Sequence, residues 1–113
     1  KKFIIVKLQV EGVHSWPDCS IEEVQFLKYP HRHIFYITMQ REVEHNDRNV
    51  EIIQFKRRIE NSLDKAFYTD KYNCLDFQKM SCEDIAEYLI TLAGLRSCEV
   101  LEDNENGAKL EVK

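Results

Sequence analysis

Between residues 3 and 14 apolar and polar side chains alternate. Ile4, Val6, Leu8 and Val10 share one parity, and Lys7, Gln9 and Glu11 the other. That two-residue period predicts a strand with one buried face. His14 continues the apolar parity provided Gly12 introduces no bulge. Ser15 to Pro30 reads as a loop, with a short helical turn starting at Ser20-Ile21-Glu22-Glu23. Alternation resumes from about His31 to Glu44, where His31, His33, Phe35, Ile37 and Met39 share a face. The polar stretch His45-Asn46-Asp47-Arg48-Asn49 marks a turn. From Glu51 the period lengthens, and Ile52, Phe55, Ile59 and Leu63 recur at helical spacing. A loop is expected around Thr69–Lys79. Ser81 and Asp84 then suit a capping box, followed by a helical face of Ile85, Tyr88, Leu89 and Leu92 that stops at Gly94. A third strand is expected over Ser97–Asp103, a tight turn at Asn106-Gly107 and a last strand over Ala108–Val112.

The order strand, strand, helix, helix, strand, strand (ββααββ) predicts an α+β domain. Its expected form is a four-stranded antiparallel sheet with two helices on one face. Residues 1–113 make one domain at this length. The second sheet face and the two edges are left open, so a homo-oligomer is expected to cover them. The chain is 43% hydrophobic and 32% charged, with a net charge of -4. An acidic balance opposes a nucleic-acid partner, which needs a basic surface. No apolar run reaches the roughly 18 residues of a membrane span, and no secretory-signal pattern opens the chain. Cys19, Cys74, Cys82 and Cys98 form no CxxC pair. Reduced thiols in the cytoplasm are therefore expected, rather than disulfides or a thiolate metal site.

Three of the four histidines fall where one ion could use them. Residues two apart in a strand point to the same side, roughly 7 Å apart. His31 and His33 can thus reach a common ion, and His14 joins them if the first two strands pair across the 15–30 loop. Three neutral imidazoles with an open fourth position suit a catalytic zinc ion. Packed or surface histidines are the plainer alternative. His45, among turn residues, reads as a solvated side chain.

The run Glu11-Gly12-Val13-His14, followed by His31-Arg32-His33, resembles the 6-pyruvoyltetrahydropterin synthase and 6-carboxytetrahydropterin synthase family. Further segments are similar in the same order: Val50-Glu51-Ile52 with Phe55-Lys56, Leu63-Asp64, Ser81-Cys82-Glu83-Asp84-Ile85-Ala86, and Val100-Leu101-Glu102-Asp103. The resemblance implies the tunnelling fold, with subunits assembled into an oligomeric barrel and active sites between them. It implies zinc on His14, His31 and His33. It also implies a pterin or purine-like ring held by Glu102, which is read as a ring anchor and not as a metal ligand. The chain departs from the family where protons are moved. Phe26-Leu27-Lys28-Tyr29-Pro30 has no cysteine before the histidine pair, Lys65 stands where the family has histidine after Leu-Asp, and Arg32 replaces a glycine. Cys19, Glu22 and Glu23, with Asp64, are the remaining candidates for proton transfer.

Other residues carry two readings each. Ser81 is a helix cap that could also meet a substrate oxygen. Trp16 either stacks on a ligand ring or fills its own loop. Glu102 is either the ring anchor or a strand-end surface carboxylate. Glu51 is read as a charge at a helix start, and Lys56-Arg57-Arg58 as a solvated helix face. Three functions stay open: a zinc-dependent lyase or hydrolase, a binding or sequestering module for the same small molecules, and a protein in which zinc only staples strands.

Overall fold

In a computed structural model covering residues 1–113, the two alternating segments become strands β1 (Lys2–His14) and β2 (His31–Val43). They pair antiparallel without interruption, from Lys2 opposite Val43 to His14 opposite His31. Gly12 introduces no bulge in this ladder, so His14 keeps the inward parity of Val6 and Leu8. The connecting loop carries a short 3-10 helix, Glu22–Lys28.

Helix α1 spans Ile52–Phe67 and buries Phe55, Ile59 and Leu63. Glu51 caps it, accepting the Ile53 and Gln54 N–H groups at 3.0 and 2.9 Å. Those two donors favour the ionised form and hold its carboxyl below the usual range. Strands β3 (Tyr68–Thr69) and β4 (Cys74–Gln78) follow, then helix α2 (Cys82–Ala93), β5 (Ser97–Glu102) and β6 (Asn106–Glu111). The Ser81–Asp84 capping box forms in both directions, and Gly94 closes α2 in the left-handed conformation at φ 62°. On α2, Cys82, Ile85, Ala86, Leu89 and Ala93 are buried, whereas Leu92 stays 44% exposed.

The sheet corrects the expected four antiparallel strands. It has six, in the order β3-β4-β1-β2-β5-β6, and it is mixed because β4 runs parallel to β1. The segment 69–79 is therefore not a plain loop. Its strand is short: Leu75 and Phe77 enter the core, Cys74 is buried beneath the Arg32 guanidinium, and Asp76 and Gln78 are respectively half-buried and exposed on the other face. The hairpin turn also moves. It lies at Asp103-Asn104, with φ of 54° and 60°, where the Glu105 N–H reaches the Glu102 carbonyl at 2.9 Å. Aspartate and asparagine accept such angles more readily than most residues. Gly107 is instead a strand residue opposite Leu101, where an added Cβ would lie 1.8 Å from the Val100 carbonyl oxygen.

α1 packs on β1 and β4, and α2 on β5 and β6. Both helices feed one core with Val6, Leu8, Phe35, Ile37, Met39 and Val100. Burying this apolar surface is the main favourable contribution to the fold. All four cysteines are buried and free. No helix is long and apolar enough to cross a membrane.

Candidate metal centre

The β1–β2 register sets His14 directly opposite His31, with His33 two residues further along β2. The ring centroids stand 4.6 Å (His14–His31), 5.4 Å (His14–His33) and 5.1 Å (His31–His33) apart. One nitrogen from each ring lies within 4.8 Å of the others. The cluster can hold a metal ion.

Each ring is fixed from behind through Nδ1. His14 Nδ1 is 2.8 Å from the Met80 carbonyl oxygen, His31 Nδ1 is 2.8 Å from that of Tyr29, and His33 Nδ1 is 2.7 Å from Asp103 Oδ2. These oxygens only accept, so in the neutral imidazole each Nδ1 carries the proton and each Nε2 keeps a lone pair. The Nε2 atoms of His14 and His33 are buried without a hydrogen-bond partner. Glu102 Oε2 stands 3.0 Å from His14 Nε2, and Oε1 stands 3.6 Å from His33 Nε2. With Nδ1 protonated, these are acceptors facing acceptors, and the 3.0 Å contact is not a hydrogen bond. A cation among them would satisfy both the buried lone pairs and the carboxylate. The donor set fits a divalent metal of imidazole preference.

The electrostatics agree. Burial holds the His14 imidazole below 6.5, assisted by the neighbouring His31 and His33 and opposed by the Met80 hydrogen bond and Glu102. A neutral imidazole is the metal-binding form. The His33 N–H and the Ile34 N–H hold the Asp103 carboxyl below its usual range. Beneath the cluster Phe35 makes edge contacts with His14 and His33 at 5.2 and 5.7 Å. Gly12 makes room for this layer, since a Cβ there would meet the Phe77 ring at 2.7 Å and the Phe35 ring at 3.0 Å.

The cluster borders a cavity of about 530 Å³, whose wall includes His14, His31, Trp16, Ser81, Cys82 and Glu102. The segment Lys79–Ser81, which follows the unexpected strand β4, lines one side of it. Pairing of β4 with β1 ends beside His14, where the Ser15 N–H bonds the Gln78 carbonyl at 2.8 Å. This brings Met80 and the start of α2 against the histidine.

Trp16, Ser81 and Glu102, read from the sequence as ligand-binding, all border this cavity. Cys19, Glu22, Glu23 and Asp64 do not. The Cys19 thiol turns into its own loop, toward the Val24 and Ile21 carbonyls at 3.6 and 3.8 Å. Glu22 and Glu23 are exposed on the first turn of the 3-10 helix, and Asp64 is exposed on α1. Arg32 faces away from the histidines, as its parity requires, and joins Glu11 at 2.6 Å and the Tyr72 carbonyl at 3.0 Å. Four participants were not foreseen, the first being Asp103, whose carboxylate takes the His33 Nδ1–H. Met80 and Tyr29 act through backbone carbonyls, which no side-chain pattern reveals. Cys82 lies 3.7 Å from Glu102 Oε2, and burial followed by that carboxylate pushes its thiol up to about 12. Neither a scan of protein-family models nor a search of curated proteins finds a match to this chain.

Proposed function

We propose that the chain is a zinc-dependent enzyme resembling the 6-pyruvoyl- and 6-carboxytetrahydropterin synthases. Its substrate would be a pterin, a deazapurine precursor or a purine-like small molecule, and its tunnelling-fold subunits would form a homo-oligomer. The observation that carries this reading is the convergence of three imidazoles, two of which, His14 and His31, line a small-molecule-sized cavity. His14, His31 and His33 would hold the ion, which when bound would polarise a carbonyl or activate a water. The Trp16 indole offers a stacking surface. Glu102 offers two acceptor oxygens to the adjacent N–H donors of a guanine-type ring. Ser81 presents a hydroxyl at the mouth of α2. The Cys82 thiol, within reach of Glu102, is the thiol on the cavity wall.

A binding or sequestering module with a retained zinc is the second reading. It is favoured by Cys19, Glu22, Glu23 and Asp64 lying off the cavity, with Lys65 in place of the family's histidine. Metal analysis of the purified protein tests the common basis of both. About one zinc per chain is expected, lost in His31→Ala and His33→Ala. Folded wild type that takes up no divalent metal would overturn the reading. Incubation of the zinc-loaded protein with dihydroneopterin triphosphate and with purine nucleotides then separates enzyme from binder by the presence or absence of turnover.

A further inference from the structure

We propose that Glu102 is the fourth ligand of the metal in the resting site, completing a set of three imidazoles and one carboxylate. The inference rests on the metal reading of the histidine cluster and goes beyond the role of Glu102 as a ring anchor.

Distance carries the first step. Four ligands at 2.0–2.1 Å around a tetrahedral ion stand about 3.3–3.4 Å from one another. The two Glu102 oxygens lie 3.0 Å from His14 Nε2 and 3.6 Å from His33 Nε2, on either side of that edge length. A carboxylate that merely lined the cavity would have no reason to straddle two lone-pair nitrogens at ligand-to-ligand spacing.

Charge carries the second. His14 Nε2 and His33 Nε2 are buried and unpartnered, and their protons are committed to Nδ1. A carboxylate brought up to them adds a third acceptor to the same space. A cation bonded to all of them removes the conflict.

Attachment distinguishes this ligand from the others. Each histidine is locked by a hydrogen bond at 2.7–2.8 Å behind the ring. Glu102 ends β5 and is 30% exposed at its side chain; apart from the imidazoles, its carboxylate meets the Cys82 thiol, a weak donor, at 3.7 Å. Such a carboxylate can leave the metal when an incoming molecule supplies better donors. The fourth position is then closed in the empty protein and open in the loaded one.

Cobalt(II) alone serves as the probe, added to the full chain with no organic ligand. Wild type should bind about one ion per chain with the intense visible bands of a four-coordinate site. In Glu102→Gln the affinity should fall by more than tenfold, since losing even an outer-shell partner costs 10–100-fold, and the bands should shift. Glu102→Ala leaves a gap, so added acetate should restore the wild-type bands, which a structural role for Glu102 would not produce. Far-UV circular dichroism checks that both variants fold, and infrared carboxylate bands of wild type with and without cobalt give a measurement independent of either variant. Unchanged affinity and bands in Glu102→Gln, or no carboxylate shift on loading, would overturn the fourth ligand while leaving the three-histidine site intact. Failure of folded wild type to bind cobalt or zinc would overturn both.

Discussion

Asp103 holds His33 from behind: Oδ2 accepts the His33 Nδ1–H at 2.7 Å, while Oδ1 takes the Ile34 N–H at 3.0 Å. The second bond ties the carboxylate to the backbone of β2, so the ring orientation follows the strand. A carboxylate behind a ligand imidazole fixes its tautomer and raises the basicity of the metal-facing nitrogen. The expected result for Asp103→Ala is a 10–100-fold weaker affinity for zinc, with a smaller loss in Asp103→Asn, which keeps an acceptor but no charge. Competition against a chelator of known affinity measures both. An Asp103→Ala protein that binds zinc as tightly as wild type would show that the strand alone orients His33.

His14 gives the metal-free protein a pH dependence of definite sign. Its imidazole is held below 6.5, chiefly by burial, so the unfolded chain binds a proton more readily than the folded one. Stability therefore falls as pH drops from about 6.5 toward the folded-state value, and this contribution is flat above it. The depressed carboxyls of Glu51 and Asp103 act in a lower window, where stability is lost as they protonate on further acidification. Urea unfolding of metal-free protein between pH 8 and 5 should reveal the upper step. His14→Gln should reduce its slope. An identical slope in that variant would assign the step to other groups.

The parts of this fold that could be read from the chain are those set by local periodicity and caps. β1 and β2 follow from alternation, and the site histidines follow with them because the β1–β2 register runs unbroken to His14 and His31. Glu51, Ser81 and Gly94 mark helix ends through short-range hydrogen bonds and backbone angles. β4 was not legible, because its alternation runs over only five residues and its partner β1 is distant in sequence and parallel. The turn was expected at Asn106-Gly107 but forms at Asp103-Asn104, and Gly107 instead sits where its neighbour's backbone comes close. The path of the loop before β2 has no periodicity to define it. That is why Cys19, Glu22 and Glu23 could be named as candidates but not placed.

Gly12 is expected to resist even a methyl group. The added Cβ would fall 2.7 and 2.9 Å from two atoms of the Phe77 ring and 3.0 Å from Phe35, both fully buried. Neither ring has free space to yield into, and Phe35 also supports His14 and His33. Overpacking of this kind costs about 1–3 kcal/mol. Gly12→Ala should show that loss in chemical denaturation, together with weaker zinc binding as the imidazoles above are displaced. Wild-type stability would mean that the aromatic layer is looser than its contacts imply.

Ser81 has two roles that substitution can separate. Its Oγ accepts the Asp84 N–H at 3.1 Å, the Asp84 carboxylate returns to the Ser81 N–H at 3.1 Å, and the residue also borders the cavity. The hydroxyl proton remains available to a bound molecule because the cap uses only the oxygen lone pair. Ser81→Ala should lower stability by about 1 kcal/mol through loss of the cap. Ser81→Asp keeps a good capping oxygen and should recover most of that stability. It also replaces the hydroxyl donor with a negative charge on the wall shared with Glu102. If Ser81 serves only the helix, Ser81→Ala will lose stability yet bind guanine- or pterin-type ligands as wild type does. If it also meets the ligand, Ser81→Ala will bind more weakly than wild type, and Ser81→Asp, though more stable, more weakly still. Losing a hydroxyl donor costs about 0.5–1.5 kcal/mol, or roughly two- to tenfold in affinity, before the added repulsion. Calorimetric titration beside urea unfolding resolves the two cases.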